Sequence, residues 1–268
     1  MSDNILEVKN LKVYFPIKKG VFGLTVGHVK AVDDVSFELK RGETLGIVGE
    51  SGCGKSTTSR AILLLNKPCG GSITVDGVDI TKIGGKEMMA YRRKVQVVFQ
   101  DPQASLNPRH TVREILTEGM IYHGLCTPAE SRDKAAELLA AVGLPDNILD
   151  RYPHEFSGGQ RQRLCIARAI ALKPELLICD EAVSALDLTI RAQVLDLLSD
   201  LKKKLGLSML FITHDLGVVQ HIADRIIVMN HGQIVERGTC EEVLKHPKED
   251  YTKRLMAAVP IIGKPLGD

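Results

Sequence analysis

Residues 49–56 (GESGCGKS) combine three glycines with a lysine and hydroxyl side chains. They follow the apolar, partly β-branched run 44–48, which predicts a short buried strand, and they precede a helical pattern that begins near Lys55. Glycines between a strand and a helix let backbone N–H groups point at phosphate oxygens, and the helix start adds the positive end of its dipole. The segment is therefore predicted to be a phosphate cradle.

The side chains of this cradle have separate predicted roles. The Lys55 ammonium can reach the β- and γ-phosphates of a nucleotide, and the Ser56 hydroxyl can bind Mg²⁺. A chance glycine-rich turn is the alternative, but the flanking strand and helix patterns argue against it. The residues predicted to contact phosphate form one run: Gly49, Glu50, Ser51, Gly52, Cys53, Gly54, Lys55, Ser56 and Thr57.

A second apolar run, at residues 176–179, ends in two adjacent acids, Asp180 and Glu181. Because side chains alternate along a strand, the two carboxylates should point in different directions. Asp180 is predicted to hold Mg²⁺ directly or through water, and Glu181 to polarise the attacking water as general base. The alternative for Glu181 is a solvated carboxylate after a strand, which the nearby phosphate cradle disfavours.

Three further residues follow predicted strands or lie in a turn. Gln100 ends the apolar run 95–99, His214 follows the run 208–213, and Asp187 lies in a turn after the two acids. All three are predicted to belong to the nucleotide site. Ligands of open parallel sheets collect at the carboxyl ends of the strands, so Gln100 and His214 are predicted to lie near a γ-phosphate. A histidine after a strand is more often structural, and only the order of the motifs favours the site.

Residues 156–160 (FSGGQ) place a Ser-Gly-Gly turn at the start of a helical pattern. Such a turn can present backbone N–H groups to a phosphate that is bound elsewhere. Ser157, Gly158, Gly159 and Gln160 are therefore predicted to contact a nucleotide. One cradle and one separate phosphate-facing helix start indicate two copies with ATP between them.

In family order and over nearly the whole chain, these motifs resemble those of the nucleotide-binding subunits of ABC transporters. The resemblance implies that two subunits pair head to tail, with each ATP between the phosphate loop of one and the signature helix of the other. It also implies that His214 contacts the γ-phosphate and that Ser56, Gln100 and Asp180 surround Mg²⁺. The matching segments are the Walker A motif (49–56), the Q-loop (Gln100), the signature (156–160), the Walker B motif with its catalytic glutamate (176–180 and Glu181), the D-loop (184–187) and the switch histidine (His214).

Small departures from the family pattern leave the predicted catalytic groups in place. Phe156 stands where leucine is commonest and is expected to pack in the interior. Ala182 and Val183 replace a frequent Pro-Thr pair, and Cys179 takes a strand position that is usually aliphatic. The chain is therefore expected to hydrolyse ATP.

The residue that contacts adenine is predicted from the N-terminal strand. The family usually stacks an aromatic side chain on the base, and the best alignment of residues 9–15 selects Phe15, with Tyr14 as the second choice. The alternative is that both are ordinary strand aromatics and that the base packs on aliphatic side chains such as Ala31.

The predicted fold class is α/β, with a P-loop NTPase core of ABC type, an antiparallel β subdomain and an α-helical subdomain. A single ABC ATPase domain is expected over residues 5–268. Helices are predicted at 112–120 and 131–142, and an Ala-Leu stripe in the second is expected to pack in the interior. The expected zones are antiparallel strands at 5–40 and 72–80 with a long loop at 18–27, a parallel core at 41–71, 94–100 and 164–240, a helical subdomain at about 101–163 and a C-terminal tail at about 241–268.

Two segments resemble those of the oligopeptide, dipeptide and nickel importers: the Q-loop region 99–109 (FQDPQASLNPR) and the tail 246–260. The alternative for them is a proline-rich loop and a short amphipathic helix. One subunit type of this family often carries a cysteine cluster near its C-terminus; here only Cys240 lies in that region, so the chain resembles the shorter partner subunit. Peptide cargo is favoured, and nickel or metal-chelate import stays open.

The resemblance also implies partners and a location. The expected partners are a second ABC ATPase subunit (a heterodimer, or alternatively a homodimer), two membrane-spanning permease subunits and, indirectly, an extracytoplasmic substrate-binding receptor. The chain is expected to lie peripherally at the cytoplasmic face of the cell membrane. A soluble ABC ATPase acting on nucleic acid or ribosomes, a clamp that does not hydrolyse ATP, and an exporter are the alternatives.

Composition limits the possible functions. A net charge of +2 over 268 residues gives no electrostatic case for nucleic acid. The six cysteines lack a CxxC spacing, which predicts neither a metal site nor a disulfide framework and fits a reducing cytosol. The first ten residues lack the apolar core of a signal peptide, and no apolar run approaches the length of about 20 residues that a membrane helix needs. The pore is expected to belong to other polypeptides.

Overall fold

The computed structural model describes residues 3–20 and 24–257. Its strands, numbered along the chain, are β1 (Asn4–Lys19), β2 (Leu24–Lys40), β3 (Thr44–Val48), β4 (Gly70–Val75), β5 (Val78–Asp79), β6 (Val95–Val98), β7 (Leu176–Asp180), β8 (Ser208–Thr213), β9 (Arg225–Asn230) and β10 (Gln233–Thr239). Its α-helices are α1 (Lys55–Ile62), α2 (Gly85–Lys94), α3 (Pro102–Ser105), α4 (Val112–Tyr122), α5 (Ser131–Ala141), α6 (Gly158–Ile170), α7 (Leu188–Leu205), α8 (Leu216–Ile222), α9 (Cys240–Lys245) and α10 (Asp250–Ala257).

The first sheet is antiparallel and has the strand order β2-β1-β4-β5. The antiparallel strands predicted for the N-terminal part of the chain are therefore confirmed. The predicted long loop at 18–27 is wrong, because β1 extends to Lys19 and pairs with Leu24 at the start of β2. β-Branched and aromatic side chains such as Phe15, Ile17 and Val29 favour continued strand pairing, and they outweigh the lysines and glycines of this segment.

The second sheet has the order β10-β9-β3-β8-β7-β6 and forms the centre of the molecule. Every residue of β3, β7 and β8 is buried, as expected for parallel strands covered on both faces. The prediction of a parallel core extending to residue 240 is wrong for β10, which runs antiparallel to β9. Only His231 and Gly232 connect these two strands, and a two-residue connection can form a hairpin but not a parallel crossover.

The helices α3 to α6 form a layer around a buried cluster that includes Leu116, Leu139 and Leu164. Helices α4 and α5 confirm the two helices predicted for this region, and the Ala-Leu stripe of α5 packs into the cluster through Ala135 and Leu139. Helix α2 was not predicted, because its basic and polar residues leave little apolar periodicity. The buried cluster of the layer also includes Val98 and Cys179, so the layer adjoins the carboxyl ends of β6 and β7.

The C-terminal part of the described chain consists of α9 and α10. Residues 258–260, which belong to the tail used for the family resemblance, lie outside the described residues. Within the described residues, 3–20 and 24–257, no helix is both long and apolar enough to cross a membrane.

Candidate functional site

The loop between β3 and α1 depends on two glycines that lie against neighbouring backbone. Gly49 and Gly54 have positive φ angles of 153° and 108°. A Cβ atom at Gly49 would lie 2.3 Å from the carbonyl oxygen of Met229, and one at Gly54 would lie 2.3 Å from that of Ala31. Both distances are far below van der Waals contact, so no other residue fits without a backbone shift. The loop is thus held between β9 and β2.

Lys55, the first residue of α1, is enclosed by its own loop. Its side chain is buried, and Nζ donates hydrogen bonds to the carbonyl oxygens of Gly49 at 2.7 Å and Glu50 at 2.8 Å. The first-turn N–H groups of α1 have no acceptor within the helix, and the helix dipole adds positive character there. Ser51 and Gly52 are exposed at the tip of the loop, while Ser56 and Thr57 are half-buried beside the lysine. The arrangement can bind an anion.

Asp180, at the end of β7, accepts hydrogen bonds from two serines of α1. Ser56 Oγ donates to Oδ1 at 2.9 Å and Ser59 Oγ donates to Oδ2 at 2.8 Å. The sequence prediction included Ser56 and Asp180 but missed Ser59. The signal was present, because residues three apart lie on the same face of a helix. Ser56 and Asp180 supply hard oxygen ligands of the kind that a divalent cation prefers.

Glu181 and His214 face each other beyond the ends of β7 and β8. His214 Nδ1 lies 3.3 Å from Glu181 Oε2, and the glutamate side chain is the more enclosed of the two, 17% exposed against 55%. Glu181 has a φ angle of 52°, an uncommon left-handed conformation, and its N–H donates to the Ile212 carbonyl at 2.8 Å. The chain thus turns immediately after Asp180, and the two adjacent acids have different partners.

Gln100 is exposed and lines a cleft of about 550 Å³ together with Ser56 and Asp180. Arg60 of α1 and Arg168 of α6 line the same cleft, and the sequence prediction missed both. Arg168 Nη1 also donates a hydrogen bond to the carbonyl of Ser105 at the end of α3. An arginine bound to the segment after Gln100 therefore connects this cleft to the helical layer.

Ser157 is the N-cap of α6 in the helical layer. Its Oγ accepts from the N–H of Gln160 at 3.4 Å, and its own N–H donates to Gln160 Oε1 at 3.0 Å. Ser157 and Gly158 are exposed, and a Cβ atom at Gly158 would have no neighbour within 4 Å. Phe156 is buried in the helical cluster, which confirms the prediction that it packs. The N-terminus of α6 is open to a second molecule.

Asp187 begins α7 and accepts a hydrogen bond from the N–H of Ile190 at 3.0 Å. One turn later, Arg191 donates to the Leu186 carbonyl at 3.2 Å and to Asp215 Oδ2 at 2.6 Å. Asp215 directly follows His214, so Arg191 ties the turn that holds Asp187 to the segment that carries the histidine. The sequence prediction missed this arginine, whose partner is 24 residues away.

Phe15 and Tyr14, the two aromatic candidates for adenine, have different surroundings on β1. Phe15 is 41% exposed. The Tyr14 hydroxyl donates a hydrogen bond to the Asp33 carboxylate, which raises the pKa of Tyr14 to about 12, and Lys30 Nζ lies 5.5 Å from the centre of its ring. Tyr14 is thus already engaged by its neighbours, whereas Phe15 has an accessible ring. Stacking on Phe15 stays a prediction.

Comparisons with known proteins relate the whole chain to one family. A family model described as ABC transporter matches residues 32–184. The oligopeptide transport ATP-binding protein AppF of Bacillus subtilis is 51% identical over 264 residues, which are 98% of this chain and 80% of that protein. The dipeptide transport ATP-binding protein DppF of Escherichia coli is 48% identical over 260 residues, 97% of this chain and 78% of that protein.

Solved structures give the same result for the fold. A dimeric ATP-binding cassette in a post-hydrolysis state, bound to ADP and Pi, is similar with a TM-score of 0.77 and 30% identity. The similarity covers 88% of this chain and 98% of that one. The predicted fold class is therefore confirmed.

Proposed function

Because this chain belongs to the ABC transporter family and is an ATPase, we propose that it drives the import of di- and oligopeptides across a membrane. The observation that carries the proposed cargo is the 51% identity to an oligopeptide transport ATP-binding protein over 98% of this chain. The alignment spans 264 residues and therefore includes the Q-loop region and α10, where the sequence already resembles peptide importers.

In the proposed assembly two ATPase subunits face each other, and each closes the nucleotide site of the other. The exposed Ser157 and Gly158 support this arrangement, since the Ser157 hydroxyl and the Gly158 N–H have room for a phosphate from a second subunit. The similar cassette solved as a dimer supports it as well. Two permease subunits would span the membrane, with this chain peripheral at its cytoplasmic face and a receptor delivering the peptide outside.

Nucleotide binding begins at the loop between β3 and α1. Phosphate oxygens replace the carbonyls of Gly49 and Glu50 as acceptors for the Lys55 ammonium, and the N–H groups of Ser56 and Thr57 add hydrogen bonds at the helix start. The Lys55 side chain is buried, so this charge acts where water screens it little. Phe15 would support the adenine ring.

Ser56, Asp180 and Gln100 would hold a Mg²⁺ ion. The fit rests on the donor set: one hydroxyl and one carboxylate already lie 2.9 Å apart, and the amide of Gln100 lines the same cleft. When bound, the ion neutralises charge on the β- and γ-phosphates. Ser59 keeps the Asp180 carboxylate in the orientation that such a site requires.

Hydrolysis depends on Glu181 and His214. The Glu181 carboxylate would accept a proton from the attacking water, and its left-handed backbone holds it beyond the strand end. His214 contacts that carboxylate at 3.3 Å and would bind the γ-phosphate, orienting glutamate and phosphate together. Lys55 and the partner's signature N–H groups would balance the charge that develops on the phosphoryl oxygens.

The proposal is tested by purifying the tagged chain from native membranes in mild detergent, with the Glu181→Gln variant as matched control. We expect a second ATPase subunit and two permease subunits to copurify with both. After reconstitution with the receptor, di- and oligopeptides should stimulate turnover of the unsubstituted complex only.

Other outcomes contradict the proposal at different levels. Stimulation by nickel or a nickel chelate, and none by peptides, would replace the cargo. Recovery of the chain with ribosomes or nucleic acid, and without permeases, would contradict transport itself.

A further inference from the structure

Tyr251 of α10 contacts the phosphate-binding loop from outside the site. The N–H of Glu50 donates a hydrogen bond to the Tyr251 hydroxyl oxygen at 3.1 Å, across 201 positions of sequence. This N–H therefore points toward α10 rather than toward the centre of the loop. Contact of Glu50 with phosphate stays a prediction, and in this structure its amide has a protein partner.

The peptide groups of Glu50 connect Tyr251 to the lysine of the site. The Glu50 carbonyl accepts from Lys55 Nζ at 2.8 Å, while its N–H is held by Tyr251. The Cys53 N–H also donates to this carbonyl, at 3.3 Å. Glu50 is thus held on both sides, by Tyr251 at its N–H and by Lys55 and Cys53 at its carbonyl.

Helix α10 is itself anchored in a way that makes Tyr251 a firm support. Tyr251 and Leu255 pack on a buried cluster that includes Val48, the residue directly before the loop. At the start of the helix, the buried Glu236 carboxylate accepts hydrogen bonds from the N–H groups of Lys248 at 2.8 Å and Glu249 at 3.2 Å. The helix is held to β10 at one point and to the end of β3 at another.

We propose that Tyr251 is a positioning residue for nucleotide binding: its hydroxyl holds the Glu50 peptide so that the loop is arranged before ATP arrives. The inference rests on the proposed nucleotide site and adds α10 to it. When phosphates take Lys55 from the Glu50 carbonyl, the loop loses internal hydrogen bonds, and the bond to Tyr251 preserves its shape. An ordered loop costs less conformational entropy on binding.

The test is the Tyr251→Phe variant of the full chain, which keeps the ring in the cluster and removes only the hydroxyl. Affinity for a fluorescent ATP analogue with Mg²⁺ should fall by about 2- to 10-fold, the range of one net hydrogen bond. The kcat of the assembled complex at saturating ATP should stay within about 2-fold, because Tyr251 touches no reacting atom. Tyr122→Phe, at a position 69% exposed on α4, is the matched control and should leave affinity unchanged.

A second variant tests the anchor independently. Glu236→Gln loosens the start of α10 without touching the phosphate loop, and it should weaken binding of the same analogue. If both residues act through α10, the combined variant should lose less affinity than the sum of the two single losses. Unchanged affinity in Tyr251→Phe, or a loss confined to kcat, would overturn the inference. Failure of the unsubstituted chain to bind the analogue would instead contradict the proposed nucleotide site.

Discussion

Two adjacent glycines at the start of α6, Gly158 and Gly159, allow packing and function to be separated. A Cβ atom at Gly158 would meet nothing within 4 Å, whereas one at Gly159 would lie 2.5 Å from Ile190 Cγ2 of α7. The same substitution, glycine to alanine, thus adds a methyl group to open space at one position and to an occupied one at the next. We expect opposite consequences from the two variants.

Gly159→Ala should destabilise the protein. A contact of 2.5 Å must be relieved by moving Ile190, whose β-branched side chain has few alternative rotamers. Overpacking of this kind costs about 1–3 kcal/mol, which corresponds to a fall in Tm of about 3–10 °C for a domain of this size. Differential scanning fluorimetry measures the shift. Ile190→Ala removes the obstructing atom, so the combined variant should recover much of the stability lost by Gly159→Ala.

Gly158→Ala should leave Tm unchanged or slightly raised, since alanine is the better helix former by up to about 1 kcal/mol. In the proposed dimer its methyl group would point from the open start of α6 toward the nucleotide of the partner subunit. Alanine keeps the N–H of this position, but its methyl group would hold the phosphate away from it. ATPase activity of the assembled complex should therefore fall on the order of 100-fold, as for the loss of an oxyanion-binding N–H. Full activity in Gly158→Ala would refute the role of the α6 N-terminus, and an unchanged Tm in Gly159→Ala would refute the packing argument.

Three further predictions concern the sheet end and its surroundings. Glu181→Gln should lower the rate of ATP hydrolysis by about 10²–10⁴-fold and keep the affinity for ATP. An ATP-bound dimer should therefore accumulate and be detected by size-exclusion chromatography. Undiminished turnover would exclude Glu181 as the general base. Ser59→Ala leaves one Asp180 oxygen unpaired, so the Mg²⁺ concentration for half-maximal ATPase activity should rise about 10-fold. The control variant Ser199→Ala, on α7, should leave that concentration unchanged. Burial raises the pKa of Glu236, but the hydrogen bonds that its carboxylate accepts outweigh burial, so its pKa is lowered from 4.5. The ionised carboxylate therefore stabilises the fold above about pH 4.5, and this stabilisation is lost as the pH falls through the lowered pKa. The deficit of Glu236→Gln in urea unfolding should therefore be largest near pH 7 and shrink below pH 4; a deficit independent of pH would contradict this.

Much of the nucleotide site is encoded locally and could be predicted. The loop of residues 49–56 works through backbone N–H groups, and its glycines, lysine and helix start are all within one short segment. The strands that end at Asp180 and Thr213 are apolar runs of the expected length, which the structure confirms. The capping pair Ser157 and Gln160 is also local, because a helix N-terminus needs acceptors within its first turn.

The two wrong predictions of the fold involve strand pairing. The 18–27 segment was predicted as a loop from its lysines and glycines, but the pairing of Lys19 with Leu24 extends the hairpin. Strand β10 was assigned to the parallel core, but the short connection through His231 and Gly232 makes it antiparallel. Each strand depends on its partner for hydrogen bonds, so composition alone does not determine where it ends or which way it runs.

Side-chain type and spacing along a single element identify the residues that can bind phosphate, accept a proton or begin a helix, so these residues were predictable. The supporting hydrogen bonds, in contrast, depend on the tertiary structure: Ser59 bonds Asp180 across 121 positions, and Tyr251 bonds Glu50 across 201. Serine and tyrosine hydroxyls are common, and nothing in their local sequence identifies a distant partner. The folded sheet brings them within hydrogen-bond distance, and that proximity gives an ordinary hydroxyl its role.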